Sequence, residues 1–421
     1  MNELPIHRRK FHTFLSHASA DKDIVNNIKY LLSEVCKIPV WYDADYLPAG
    51  AHIATELPEA IVQCRSMIII LSKTAIKRGW VKEEYEYGIE QRTRFKDFHI
   101  LPVRIDNCEV PGFLKNTRWI DIPNGKLSLE TITELLLGLY YTDIETCYGN
   151  TKDIYISRTW RENEAPLADH ISKILDKTGF RLIGDFMDQP NFDEENRIKS
   201  IISSCGGLVS ILPHRGNGKT SDFMLKEIYI AQKLKIPNII IAEPEVILSE
   251  DISELVIQMK VDDNIENNQE LQNEMERLME EWKTPSIPRY IFYATDFNQQ
   301  NTKRNLLIKK LIERITSMPC LMGDDIQEGE VQKFITEKIS GSFLMIADIS
   351  AKNINTLIEA GIARGANKKY YLVAKGPRHS PPFMFRDQQV WYYDDDVELI
   401  GLIHKLIYPY RRRVLNLELQ K

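Results

Sequence analysis

One order of residues recurs three times along the 421-residue chain, and that repeat narrows the folds open to it. Each pass begins with a short β-rich run: "FHTFLSHAS" from Phe11, "DIYISRTW" from Asp153 and "RYIFYATDF" from Arg289. After a helical pattern comes a second run ending in acidic residues, "VWYDADY", "RLIGDFMD" and "CLMGDDI". An amphipathic helix then feeds a strongly apolar strand in "ELPEAIVQCRSMIIILS", "ENRIKSIISSCGGLVSILP" and "VQKFITEKISGSFLMIADIS". The fourth step is a helix with a glutamate near its start and a further strand: "VKEEYEYGIEQ" into "HILPVRID", "MLKEIYIAQ" into "PNIIIAEP", "NTLIEAGIA" into "KYYLVAKG". Strands alternating with helices of about 10 to 15 residues imply βαβ units, because a parallel connection has to cross the sheet. The expected fold class is α/β, with three successive flavodoxin- or Rossmann-like doubly wound parallel sheets.

Ser16 to Glu84, Ser157 to Glu227 and Thr295 to Glu359 are separations of 68, 70 and 64 residues by subtraction. Each glutamate is followed four residues later by Gly88, Ala231 or Ala363, small enough to let the helix lie close on its sheet. In open parallel sheets ligands bind outside the carboxyl ends of the strands, beside the N-termini of the following helices. All three glutamates are expected at that edge. An acid at a helix start also complements the helix dipole by about 0.3 to 1 kcal/mol, which suffices to explain any one of them singly.

The chain is too long for one compact core. The expected divisions are residues 1–146, 147–286 and 287–421, placed by the polar stretch near 143–152 and by "EEWKTPSIPRY", where two prolines end an acidic helical run. Hydrophobic residues at 43% and charged residues at 27% describe a chain that folds throughout. A formal net charge of -6 gives no broad basic face, so direct nucleic-acid binding is not expected, although "YRRRV" near the C-terminus offers a local anion contact. No run reaches the roughly 18 to 20 apolar residues of a membrane helix and no signal peptide is present, so a cytoplasmic location without membrane contact is expected. The six cysteines stand singly, with no nearby histidine ladder, and read as buried thiols rather than a metal site or disulfide framework.

In the first unit the strand ends bring together Ser16 and His17, the loop "DADYLPAGAH" and the pair Trp80 and Glu84. An aromatic wall suits a flat cationic or purine ring, and a carboxylate beside it suits an oxocarbenium-like transition state. "FLSHASADKD", "VWYDADYLPAG", "SMIIILS" and "GWVKEE", in that order, resemble a Toll/interleukin-1 receptor (TIR) domain over roughly residues 10–140. The resemblance implies NAD+ cleavage, with Glu84 catalytic and Trp80, Ser16, His17, Asp43 and Leu47 as substrate-binding residues. It also implies that the loop from Asp43 to Gly50 gates the pocket and takes part in head-to-tail self-assembly. NAD+ would be the substrate, and no separate cofactor is expected.

The second unit keeps the glutamate as Glu227 and has Phe223 where the first has Trp80. Its loop "PHRGNGKTSD" approaches a P-loop, but GxxxxGK[ST] needs glycine where Pro213 stands. Gly216, Gly218 and Lys219 remain candidates for simple phosphate contact, with an exposed loop as the default reading. In the third unit "IADISAKNINTLIEAGIARG" is similar to nucleoside 2-deoxyribosyltransferase-like domains, with Asp348, Asn353 and Glu359 as the matching types and Asn355 at the tryptophan position. Helix capping by Asp348 and Asn353 is an equally sound account.

The expectation is an antiviral defence effector, similar to bacterial proteins that fuse a TIR head to a sensor. Glu227, Asp348, Asn353 and Glu359 are assigned to a signalling nucleotide, either a cyclic nucleotide or an ADP-ribose derivative, bound by the last two units. Paired Rossmann-like halves of SAVED type fit the length. Binding would drive homo-oligomerisation through the TIR domains and NAD+ loss. Two alternatives stay open: a non-enzymatic TIR interaction protein, and a nucleoside-processing enzyme acting through Glu359.

Overall fold

The structure is a computed structural model and describes residues 4–50, 53–77, 80–140, 152–187, 194–253, 256–261, 264–281, 290–325, 331–350, 353–376 and 382–415. The first sheet contains β1 (Phe11–Ser16), β2 (Val40–Trp41), β3 (Cys64–Leu71), β4 (His99–Arg104) and β5 (Ile120–Asp121). The middle sheet contains β6 (Asp153–Ser157), β7 (Arg181–Ile183), β8 (Gly207–Leu212), β9 (Asn238–Ala242) and β10 (Val256–Gln258). The third contains β11 (Ile291–Ala294), β12 (Cys320–Met322), β13 (Leu344–Asp348), β14 (Tyr370–Lys375) and β15 (Val390–Tyr393).

Strand order is β2-β1-β3-β4-β5 in the first sheet, and the other two repeat it as β7-β6-β8-β9-β10 and β12-β11-β13-β14-β15. Neighbouring strands within each sheet run parallel. The order follows from the sequence: β3, β8 and β13 are apolar runs buried along their whole length, as strands covered by helices on both faces must be. In this topology the order reverses between the first and third strands of each sheet, which leaves a crevice at their carboxyl ends. Ser16 pairs in register with Ile69, and Ser157 with Ser210, so both strand-end hydroxyls open onto that crevice.

The second runs are shorter strands than the sequence suggested. β2 stops at Trp41, and Asp43–Tyr46 is a helical turn in which the Asp43 carboxylate accepts from Ala44 N at 2.7 Å. Such side-chain to backbone bonding competes with strand pairing. β12 likewise gives way to a 3-10 turn at Gly323–Asp325.

The glutamate-bearing helices are Trp80–Arg94, Asp222–Lys233 and Ile354–Gly365. Glu84 falls fifth in its helix and Glu227 and Glu359 sixth in theirs, so each stands in the second turn. Their exposures are 4%, 2% and 8%. Dipole complementarity fades beyond the first turn and belongs to solvated acids, so it does not account for these three. The small residues act as expected: a Cβ on Gly88 would stand 2.9 Å from Met67 Sδ and 3.1 Å from Ile100 Cδ1, while Ala231 and Ala363 are fully buried.

The chain divides into two compact units, one formed by residues 1–145 and 288–408 and the other by 146–287 and 409–419. The first and third sheets therefore share a unit, which modifies the expectation that the last two form one module. Tyr140, at the end of the helix Leu129–Leu139, hydrogen-bonds His404 Nε2 at 2.8 Å, stacks with His404 and meets Tyr408 at a tilt of 38°. Gly401 lets the helix Asp396–Ile407 approach Val35 and Cys36, and Lys303 pairs with Glu130.

The expected third unit also loses its tail. Val414 forms an antiparallel bridge with Ile183, and Leu415 N donates to Leu182 O at 2.9 Å. The three arginines of "YRRRV" are buried there: Arg412 pairs with Asp153, which Arg181 also grips at 2.5 and 2.6 Å. The tail is an edge of the middle sheet and not the surface anion contact that its charge suggested.

Among the described residues, Cys36, Cys64, Cys108, Cys205 and Cys320 are buried free thiols. No helix among those residues is long and apolar enough to cross a membrane.

Candidate active site

Ser16 closes β1 at 1% exposure, and its Oγ has no hydrogen-bond partner among the described residues. A buried hydroxyl in that state is rare in native proteins and marks a place where a ligand or water completes the bonding. His17 follows it, buried, with its ring stacked on Tyr42 at 5.0 Å and its Nε2 3.9 Å from Asp43 Oδ1. Asp43 is half-buried, and Leu47, half-buried, caps the C-terminal end of the Asp43–Tyr46 turn. Tyr42, which the sequence did not single out, joins His17 to the rest by also donating to Asn26 at 3.2 Å.

Glu84 is brought to the same edge by its helix, which begins at Trp80 directly after the segment that follows β3. The Trp80 backbone opens that helix, while its side chain lies outside the described residues. The contacts seen join His17 to Asp43 and Tyr42; Ser16 and Glu84 share the edge by strand and helix position. A buried carboxylate at a strand-end crevice is placed to hold ribose hydroxyls and to face a developing cation in a medium where charge interactions are little screened.

The middle sheet has a cleft of about 450 Å³ at the corresponding edge, lined among others by Arg158, Trp160, Arg197, Arg215, Phe223 and Glu227. Glu227 therefore lines a cavity, and Phe223 stands one turn ahead of it. Tyr155 donates its hydroxyl to Glu227 Oε1. Burial pushes the Glu227 carboxyl up to about 8 against the opposing pull of hydroxyls from Ser157 and Tyr155, so it is largely protonated at neutral pH. The loop that carries Gly216, Gly218 and Lys219 follows its default reading, with Gly216 and Lys219 exposed and Gly218 half-buried. Arg215 N donates to Lys219 O at 2.8 Å, closing the loop on itself, and the missing Cβ of Gly218 admits Ile247. Arg215 is the member of that loop that lines the cleft. The segment "SRTW" carried the available signal: it places Arg158 and Trp160 just after a strand-end serine, as Ser16 places His17.

In the third sheet Asp348 ends β13 and accepts from Ser350 and from Tyr393 at 3.0 Å, with Arg304 at 3.8 Å. Asn353 is a helix cap, accepting from Asn355 N at 3.0 Å, so capping holds for Asn353 but not for Asp348. Burial pushes Glu359 up to about 7.

Residues 13–136 match the TIR domain family, and the first sheet is a TIR domain. A protein of Methanobrevibacter olleyae named "Probable 2' cyclic ADP-D-ribose synthase TcpO" is 28% identical over 106 residues, covering 24% of this chain and 29% of that protein. The chain thus spans less than a third of the length of that relative. The crystal structure of the TIR domain of the Toll-related receptor TRR-2 of Hydra magnipapillata is 19% identical, with 31% of this chain and 98% of that one covered and a TM-score of 0.27. The C-terminal domain of glucosamine-fructose-6-phosphate aminotransferase from Francisella tularensis is 10% identical, over 96% of this chain and 83% of that one, with a TM-score of 0.23. Likenesses at these two scores carry no argument.

Proposed function

We propose that the TIR domain cleaves the nicotinamide–ribose bond of NAD+, with Glu84 as the catalytic carboxylate. The observation that carries this reading is Glu84 itself, at 4% exposure in the second turn of its helix, on the strand edge where Ser16 presents a buried hydroxyl that has no hydrogen-bond partner among the described residues. The carboxyl edges of open parallel sheets are where such folds take their ligands.

Nicotinamide leaves NAD+ as a neutral molecule, so the departure needs no strong general acid. Positive charge develops at the anomeric carbon, and Glu84 offsets it while holding the ribose hydroxyls. Water then adds to give ADP-ribose and a proton, or a hydroxyl of the same molecule closes the ring to give a cyclic form and a proton. The named activity of the Methanobrevibacter relative supports the cyclic branch. Trp80 walls the pocket, and Ser16, His17, Asp43 and Leu47 line its entrance. Activation follows from a nucleotide signal and from self-association of TIR domains, which fits a defence effector held inactive until the signal is made.

The test is nicotinamide release by the purified full chain, wild type beside Glu84→Gln, over a range of protein concentrations. The expected result is a fall of about 100- to 1,000-fold in the variant, the usual cost of removing an electrostatic stabiliser, and a wild-type rate rising more than linearly with protein concentration. Equal rates in the two proteins would refute the assignment of Glu84. Mass spectrometry separates the two products, since the cyclic form is lighter by one water.

A further inference from the structure

We propose that the cleft of the middle sheet is a binding site for a nucleoside phosphate, with the base against Trp160 and Phe223 and the phosphate at the N-terminus of the helix Asp222–Lys233 beside Arg197 and Arg215. This deepens the nucleotide-signal part of the reading above, rests on that part alone, and is independent of the NAD+ chemistry.

The phosphate end is argued from charge and from unmet hydrogen bonding. Ser221 stands at the N-cap position but makes no side-chain cap, and it lines the cleft with Phe223 and Met224. The first amides of a 12-residue helix therefore face the cavity, where an anion is favoured. Arg197 is 3% exposed, and among the described residues its Nε has no hydrogen-bond partner, although Asp185 holds the other side of its guanidinium. Arg215 grips Glu164 through two bonds of 3.0 and 2.8 Å, and Arg158 is anchored by Asp169. Glu164 thereby fixes the Arg215 guanidinium plane before the ligand arrives. Glu227 is largely protonated in its buried setting, so it does not repel an anion and presents a neutral carboxyl to a ribose hydroxyl.

The base end is argued from flat apolar surface. Trp160 has the Arg158 guanidinium 5.0 Å from its ring centre, and Phe223 remains 36% exposed beside the buried Met224 at the start of its helix. Phe186 lines the same cleft and is backed by Arg413 of the tail at 3.8 Å. Aromatic faces of this kind take a purine by stacking whatever its sequence context. The cavity, at about 450 Å³, falls within the roughly 300 to 1,000 Å³ of small-molecule sites.

The experiment is calorimetric titration of the full chain carrying Glu84→Gln, which keeps the TIR pocket from turning over, with AMP, ADP-ribose, adenosine and inorganic phosphate as probes. The expected result is one site per chain for AMP or ADP-ribose, with adenosine and phosphate each at least about tenfold weaker. Adding Phe223→Ala, at a partly exposed position that leaves the fold intact, weakens AMP by at least about tenfold. Arg215→Gln weakens AMP but not adenosine. Thermal midpoints of both variants serve as the folding control. The proposal is overturned if neither AMP nor ADP-ribose binds, if adenosine binds as well as AMP, or if binding survives both substitutions. Nicotinamide release by wild type without AMP binding removes this inference and leaves the NAD+ reading standing; AMP binding without nicotinamide release does the reverse.

Discussion

The edge of the first sheet and the edge of the middle sheet share a plan and differ two places before the strand-end hydroxyl. Both have a serine closing the first strand in chain order and a buried glutamate in the second turn of a following helix. In the middle sheet the residue two before Ser157 is Tyr155, whose hydroxyl reaches Glu227. In the first sheet the residue two before Ser16 is Phe14, stacked on Trp41 at 4.8 Å, with no donor to offer. Burial holds the Glu227 carboxyl neutral, and the Tyr155 hydroxyl works against that shift. The two edges thus differ in one hydroxyl, which Tyr155 brings to Glu227 and Phe14 lacks.

The largest expected effect tests the catalytic half of this contrast. Glu84→Gln lowers nicotinamide release by about 100- to 1,000-fold; a loss under tenfold would end the distinction between the two glutamates. Next comes the residue that distinguishes them. Phe14→Tyr brings a donor to the position equivalent to Tyr155, and a hydrogen bond to a charged group is worth about 1.5 to 3 kcal/mol. If that bond steadies the Glu84 carboxylate before the transition state, turnover falls about 10- to 100-fold. A Phe14→Tyr enzyme that retains full turnover and melts at the wild-type temperature would show that the tyrosine is not what sets the sheets apart.

A pH series probes the same contrast through stability. The Glu227 carboxyl lies at about 8 in the folded protein and at the ordinary 4.5 of a free glutamate in the unfolded chain. The folded state therefore holds this proton more tightly than the unfolded state does. Its burial carries no penalty below about pH 4.5, a growing one as the pH rises, and the full one above about 8. Glu227→Gln, which still accepts from Tyr155, removes that slope. Its thermal midpoint gains on wild type from pH 5 to 8 and then keeps a constant lead. Glu359→Gln gains with the same sign over a narrower window, ending near 7. Scanning fluorimetry across pH 5 to 9 reads both, and a lead that shrinks with rising pH in either variant contradicts the protonated assignment.

Much of this architecture was legible because periodicity and spacing are local facts. Three strand–helix passes gave three parallel sheets, and the spacing from Ser16, Ser157 and Thr295 placed three glutamates at equivalent edges. Partnership was harder to read. Nothing in "YRRRV" tells whether three arginines face water or are buried with Arg412 on Asp153, since that depends on a strand some 260 residues earlier. Nor does composition reveal that His404 would meet Tyr140 and join the third sheet to the first. In the middle cleft Phe223 and Glu227 were visible by analogy with Trp80 and Glu84, whereas Arg197 and Arg215 were not, because they come together only in the fold, at a strand edge. Asn353 shows the converse: a residue that matched a ligand-binding pattern is occupied in capping its own helix.

The smallest expected effect concerns how finely Glu84 is placed. At Gly88 a Cβ would press on Met67 Sδ at 2.9 Å and Ile100 Cδ1 at 3.1 Å, whereas Ala231 already carries its Cβ in full burial. In Gly88→Ala the helix gains about 1 kcal/mol of intrinsic propensity, while the flexible Met67 tip and the Ile100 methyl give way by tenths of an ångström. These terms oppose each other, so the melting temperature moves little. The helix that carries Glu84 is nonetheless lifted from the sheet one turn beyond the carboxylate. Misplacement of about 1 Å can cost 100-fold in rate, so a shift of a few tenths lowers turnover by a few-fold at nearly unchanged stability. Unchanged turnover would mean that the first sheet tolerates the spacing the middle sheet already has, and that the close approach at Gly88 serves packing alone.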